Sequence, residues 1–256
     1  MLQAVFRFYA ELNDFLPPAQ RYQDIHHTFK GPASVKDRIE SLGPPHPEVE
    51  LILVNGAAVG FDYLVQQGDR IAVYPRFHNL PVEGPPLRPP PPQPARFILD
   101  AHLGKLARLL RMLGFDASYH NDIDDDVLVQ QAQAEDRILL TRDRGVLKYS
   151  QVVHGYCLRS LAPSAQLIEV LHRYELADEI EPFQRCMACN GVLVPVSKAA
   201  ILHLLEPKTK LYYNEFRRCQ KCGQIYWKGS HFERMEKLVE RYRRLERPPK
   251  TDDTDA

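Results

Sequence analysis

No stretch of the 256 residues approaches the ~20 consecutive apolar positions that a membrane-spanning helix requires, so a helical membrane protein is excluded. The first residues, Met1 to Arg7, lack the apolar core of a secretory leader, and a cytoplasmic location with no membrane partner is the expectation. Net charge is missing too: 33 basic and 33 acidic side chains cancel, which taken alone argues against a polyanionic partner. There is no Gly-rich loop ending in Lys-Ser/Thr and no GxGxxG turn, so a nucleotide-binding sheet fits poorly. What is present, 44% hydrophobic and 26% charged residues, suits a soluble globular chain with room for about two domains of ~150 residues. Disorder throughout is excluded.

Proline is concentrated in one place. Eight prolines lie between Pro81 and Pro94, and residues 82–96 read as an extended linker reaching ~45 Å at ~3.1 Å per residue, so that the flanking domains need not touch. Counted by segment, the charge is uneven: −2 over residues 1–81, −5 over 97–181 and +6 over 182–256. An acidic middle followed by a basic end suits a chain that gathers cations at one place and phosphates at another.

Residues 1–81 alternate as a strand at Val5–Tyr9, then form a helix with a Ser34 cap and a Gly43 stop. A buried strand, Leu51–Val54, runs into the turn Asn55-Gly56, and Gly68-Asp69 opens a last strand ending at Tyr74-Pro75. This segment resembles the β-grasp, ubiquitin-like domains of the sulfur-carrier class. Those carriers react through a free Gly-Gly terminus, whereas here the chain passes from Pro75 into the linker. Carrier chemistry is therefore not expected, and the segment reads as a docking module for a protein partner.

In the middle segment, Phe97-Ile98-Leu99 ends in Asp100, and Ile138-Leu139-Leu140-Thr141 leads to Asp143. Both read as buried parallel strands with an Asp at the carboxyl tip. Between them Leu103, Leu106, Ala107, Leu110 and Leu113 mark one helix face and Lys105, Arg108 and Arg111 the other, with Gly114 as the stop. Ala117–His120 reads as the next strand, and Asp124-Asp125-Asp126 opens a helix running through Ala134. The βαβαβ pattern predicts a doubly wound parallel sheet, in which ligands bind beyond the carboxyl ends of the strands. Singly, Asp124 reads as a helix cap and Asp143 as a turn residue. Together with Asp100 they form a carboxylate group that must take up protons or share a cation, for which Mg²⁺ or Mn²⁺ is the hard-ion choice. Three consecutive acids on a helix's first turn cannot all face one way, so the choice among Asp124, Asp125 and Asp126 stays open. His102 reads as a pocket-edge or packing residue.

Cys186-x-x-Cys189 and Cys219-x-x-Cys222, each followed closely by Gly, have the spacing of a tetrahedral Zn²⁺ site that closes a small fold. Cys157 falls in an apolar strand and reads as a buried thiol. Around the second knuckle Lys210, Tyr212, Tyr213, Arg217, Arg218, Lys221, Tyr226, Trp227 and Lys228 interleave cations with aromatics, the combination that attracts phosphates and stacks bases of single-stranded RNA. Some of these rings must instead pack the ribbon. Ser230 and Glu233 form a capping box for a last helix with the stripe Met235, Leu238, Val239 and Tyr242, after which 246–256 reads as a disordered tail.

The stretches FILDAHLGKLARLLRMLGFDA, NDIDDDVLVQQA, RILLTRDRGVL and CxxCG with IYWKGSHFERM, in this order between Phe97 and Tyr242, resemble the Mut7-C family. The resemblance implies a PIN-like ribonuclease domain (97–181) with an appended zinc ribbon and C-terminal helix (182–245), preceded by the β-grasp domain. It implies a metal-dependent endoribonuclease, with Asp100, Asp124 or Asp125, and Asp143 as acidic ligands. Lys105, Arg108, Arg111, Arg142, Arg217, Arg218, Lys221, Trp227 and Lys228 are then the RNA-binding candidates. A non-catalytic RNA-binding adaptor and a toxin-type PIN ribonuclease are the alternatives, and the oligomeric state stays open, a homodimer being one option because PIN-like domains often dimerise.

Overall fold

The computed structural model describes residues 1–77, 84–230 and 232–245. Its elements are β1 (Leu2–Phe8), β2 (Ile25–Phe29), α1 (Val35–Leu42), β3 (Leu51–Val54), β4 (Ala57–Ala58), β5 (Arg70–Tyr74), β6 (Arg96–Leu99), α2 (Gly104–Met112), β7 (Asp116–Tyr119) and α3 (Asp125–Ala134). They continue as β8 (Ile138–Thr141), β9 (Gly155–Cys157), α4 (Pro163–Tyr174), β10 (Leu193–Val196), α5 (Lys198–Ile201), α6 (Pro207–Tyr212), β11 (Phe216–Cys219), β12 (Ile225–Trp227) and α7 (Phe232–Leu245). The expected tail, 246–256, and linker residues 82 and 83 lie outside the described residues. No helix among the described residues is long and apolar enough to cross a membrane. Two units interleave along the sequence: residues 1–92 with 124–157, and 93–123 with 158 onward.

In the first unit, the N-terminal sheet has the order β2-β1-β5-β3-β4, with β1 parallel to β5 and the other pairs antiparallel. Alternation buries Ala4, Phe6 and Phe8 of β1 with Ile52, Ile71, Val73 and Ile39 of α1. Ser34 caps α1 by accepting the Asp37 amide at 3.1 Å. The β3–β4 hairpin turns on Asn55 and Gly56, both at positive φ, as the Asn-Gly pair requires. The Asp after Gly68 has a structural task. Buried Asp69 accepts from Asn55 Nδ2 at 2.9 Å, Tyr63 Oη at 3.0 Å and the Gln66 amide at 2.7 Å, tying the loop before β5 to the hairpin. β2 escapes the sequence pattern because His26-His27-Thr28 interrupts its apolar ends, yet it pairs with β1 from Leu2↔Phe29 to Phe6↔Ile25.

The Pro-rich segment is not a free spacer. Arg88 donates to Glu50 Oε2 at 3.0 Å, to His46 O at 3.0 Å and to Val49 O, which ties this stretch to the start of β3. Nor are residues 1–77 separate from the middle segment: the Glu48 carboxylate, wholly buried, accepts the Cys157 amide at 2.7 Å at the end of β9. The linker expectation rested on proline content, which says nothing of an arginine that finds three oxygens. In this same unit β8 and β9 run parallel, and Cys157 is a buried thiol, as expected.

In the second unit β6 runs parallel to β7, in register from Arg96↔Asp116 to Leu99↔Tyr119. Leu106, Leu110 and Leu113 pack α2 towards Leu167, Val170 and Leu171 of α4, each fully buried aliphatic side chain contributing about 1.5–3 kcal/mol. The ribbon is a three-stranded antiparallel sheet, β10-β11-β12. Its small core consists of Ile201, Leu205 and Phe216 flanked by Tyr213 and Ile225, so part of the aromatic content does pack the ribbon. Gly114, at φ 102° after α2, sits where a Cβ would lie 2.0 Å from Glu181 O. Gly114→Ala is therefore expected to destabilise the protein by at least the ~1–3 kcal/mol that such a backbone conformation costs a non-glycine residue, measured as a lowered urea midpoint at unchanged m.

Candidate functional site

The four knuckle cysteines meet. Their sulfurs lie within 4.8 Å of one another, with Cys186–Cys222 at 3.7 Å and Cys189–Cys219 at 3.4 Å. Zn–S bonds of ~2.3 Å arranged tetrahedrally place sulfurs ~3.8 Å apart, so the donor set fits zinc. The loop follows from sequence: Cys186 N–H donates to Gly191 O at 2.7 Å, Asn190 N–H to Cys186 O at 2.9 Å, and a Cβ on Gly191 would lie 2.6 Å from Cys219 Sγ. Burial opposes a thiolate at Cys186, but the Tyr226 hydroxyl at 3.1 Å and the amides of Cys189 and Ala188 prevail and lower its pKa. Burial likewise opposes Cys219, which the amides of Cys222 and Lys221 and the Cys189 thiol bring down to about 6. Burial drives Cys189 up to about 12. A dication bound by the four sulfurs displaces whatever thiol protons remain.

Arg111 overturns its sequence assignment. Rather than facing RNA, it is buried, and its guanidinium donates to Ala117 O at 2.8 Å, Ala188 O at 3.0 Å and Met187 O at 3.3 Å. The reason is angular. At ~100° per residue Arg111 falls on the flank of the apolar stripe of α2, unlike Arg108, which lies nearly opposite it. Arg111 thereby fastens the first cysteine knuckle to α2 and β7. Asn190 reinforces the joint, accepting the Ala117 amide at 3.0 Å and donating to Asp116 Oδ1 at 2.7 Å.

Two adjacent acids at the start of α3 and one from the loop after β8 act on a residue that sequence reasoning passed over, although among the described residues only the four cysteines bring three or more possible metal ligands within 4.8 Å of one another. The Tyr149 hydroxyl hydrogen-bonds Asp126, and this bond, with the charges of Asp125 and Asp143, raises the phenol pKa. No motif marked Tyr149; a tyrosine six residues after a strand-tip Asp was the available signal. Asp143 is shaped by its own loop, its Oδ1 accepting the Gly145 amide at 2.6 Å while its amide donates to Thr141 Oγ1 at 2.9 Å. Asp124 is the N-cap residue of α3 but makes no capping hydrogen bond, and it is exposed, as are Asp125 and Asp126. Asp100 stands half-exposed at the carboxyl end of β6. The turn after it is fixed by Tyr119, whose hydroxyl donates to Ala101 O at 2.7 Å and whose ring leaves room only for Gly at position 104.

Lys105, Arg108, Arg142, Arg218 and Lys221 are exposed, as is His102, which packs into no core. Arg217 is half-buried and donates to Phe183 O and Gln184 Oε1, each at 3.0 Å. Trp227 is 40% exposed. Lys228 lies 5.6 Å from the centre of the Phe232 ring. A groove of about 880 Å³, with Phe183, Phe216, Trp227 and Val239 among its walls and Lys228 and Arg243 among its cations, runs between the ribbon and α7.

An α/β segment with parallel strands, a four-cysteine ribbon after it and a ubiquitin-like sheet before it define the class: an α/β domain with an appended cysteine ribbon, fused to a β-grasp module. The family comparison agrees, matching residues 95–239 to the Mut7-C RNAse domain and 1–81 to the Mut7-C ubiquitin domain. The chain belongs to the Mut7-C family. No curated protein and no solved structure matches it. The cysteine geometry makes its own forecast: the purified protein is expected to hold one zinc per chain by elemental analysis, and Cys186→Ser to lose it. Stripping by a strong chelator should unfold the ribbon, since structural zinc contributes on the order of 10 kcal/mol, and near-ultraviolet circular dichroism reads that loss.

Proposed function

We propose that the chain is a metal-dependent endoribonuclease in which Asp100, Asp143 and either Asp124 or Asp125 are the acidic ligands and catalytic residues. The reading is supported by the family model, that of an RNAse domain, and by the influence of Asp126, Asp125 and Asp143 on the Tyr149 phenol. Exposed carboxylates suit Mg²⁺ or Mn²⁺, hard ions that take oxygen donors and keep several waters. Such an ion supplies an activated water and a counter-charge for the leaving oxygen of a phosphodiester. The chain's own residues do the rest. The Gly145 amide fixes the Asp143 carboxylate in one orientation, and the Tyr149 hydroxyl bonds Asp126. Lys105, Arg108, Arg142, Arg218, Lys221 and Lys228 hold phosphates and Trp227 stacks a base, while residues 182–245 serve as a zinc-closed RNA-binding ribbon. The outer face of the N-terminal sheet, where Arg7 and Arg70 share Asp24, is the surface for a protein partner.

A second reading, an RNA-binding adaptor without catalysis, draws on the partners that Asp126 and Asp143 already have. Labelled RNA incubated with Mn²⁺, with and without chelator, separates the two. Asp100→Asn and Asp143→Asn are each expected to cut cleavage by ~10²-fold or more, from the several kcal/mol a metal ion supplies at ~1.4 kcal/mol per decade, while RNA affinity stays within about twofold. Binding by the wild type without cleavage favours the adaptor, and undiminished cleavage by Asp143→Asn defeats the assignment.

A further inference from the structure

We infer that the ubiquitin-like module is a built-in clamp on the Asp143 loop, with Arg144 as its positioning residue; the catalytic consequence rests on the reading of Asp143 as an acidic ligand. The argument begins beside Asp143. Arg144 Nη1 donates to Phe15 O at 3.1 Å and Nη2 to Asp14 O at 3.2 Å, and its guanidinium carbon lies 5.1 Å from the centre of the Phe15 ring. A planar fork facing two carbonyls and a ring is the arrangement that arginine, not lysine, fills. Four residues on, Lys148 Nζ donates to Glu40 O at 2.6 Å. Further on, His46 bridges the same surface, its Nε2–H donating to Val152 O at 2.8 Å and its Nδ1 facing Glu40 Oε1 at 2.7 Å. Counting Glu48 with the Cys157 amide, four points between residues 144 and 157 are gripped by residues 14 to 48.

The grip sits where it controls a carboxylate. Asp143 Oδ1 accepts the Gly145 amide, and Lys148 N–H donates to Gly145 O at 3.0 Å, so the loop is a short run of local bonds flanked by two tethered cations. Both cations are spent on neutral main-chain carbonyls rather than on Asp143 or on a phosphate. That use fixes the path of the loop and leaves the Asp143 carboxylate without a charge partner from its immediate neighbour. The acceptor Phe15 O is itself set, because the chain passes Gly43, at φ 141°, so closely that a Cβ there would lie 2.6 Å from it. A displacement of about 1 Å at a reacting group costs ~10²-fold in rate, which is the scale on which losing such a clamp is felt.

Arg144→Ala, Arg144→Lys and Lys148→Met in the full chain test the clamp. Metal-free hydrogen exchange is expected to show the Gly145 and Lys148 amides losing protection in Arg144→Ala, partly in the other two, while β11 and α2 keep theirs. Steady-state cleavage with Mn²⁺ is expected to show kcat falling roughly 10–100-fold in Arg144→Ala with KM for RNA within about twofold, and partial recovery in Arg144→Lys. Unchanged exchange in both Arg144→Ala and Lys148→Met overturns the clamp. A rise in KM at constant kcat also overturns it, since Arg144 would then be an RNA contact. If the wild type cleaves nothing, the nuclease reading fails, and the exchange measurement still decides the clamp.

Discussion

A carboxylate with no exposure to water sets the terms for the first unit. Glu48 gains its burial only by accepting hydrogen bonds, and the amide of Cys157, at the end of β9, is one of its donors. Removing the N-terminal module would leave that strand-end amide without its acceptor. The module and residues 124–157 are thus bound by mutual need. The tethers from Arg144, Lys148 and His46 gather on the same side of the same segment. A ubiquitin-like sheet, commonly a detachable adaptor, is here part of a module hydrogen-bonded to residues 144–157.

The second unit uses charge in the same inward manner. Arg111 spends its donors on three carbonyls, two of them in the first cysteine knuckle. Arg243 donates to Ile180 O at 2.8 Å, and Arg217 to Phe183 O. Two of the cations that give residues 182–256 their positive balance, Arg217 and Arg243, therefore serve as mortar, while Arg218, Lys221 and Lys228 of the ribbon stay exposed. Net charge by segment overstates the surface that RNA would meet.

Much of this was legible in the residues. The apolar runs ending in Asp100 and leading to Asp143 are strands, the Leu106 stripe is a buried helix face, and the two CxxC pairs converge as their spacing demands. Those signals are local and periodic. What stayed hidden depends on partners far away along the chain. β2 is a strand because β1 offers it an edge, not because Ile25-His26-His27-Thr28-Phe29 alternates. Arg111 looked like a surface cation because the pattern of its helix says nothing of the carbonyls of Met187 and Ala188. The grip on Arg144 is invisible for the same reason: every residue carries a carbonyl, so no letter in the sequence marks the two that matter. Tyr149 could be placed with its acids only once α3 and the loop after β8 were set in space.

The interleaved order of the two units carries a consequence for biosynthesis. As the polypeptide leaves the ribosome, the first sheet is complete once Tyr74 has emerged, yet the residues that cover its flank arrive only with Cys157, after the opening elements of the other unit have already appeared. Until then Glu48 lacks its Cys157 donor and the Phe15 ring lacks the Arg144 guanidinium that faces it.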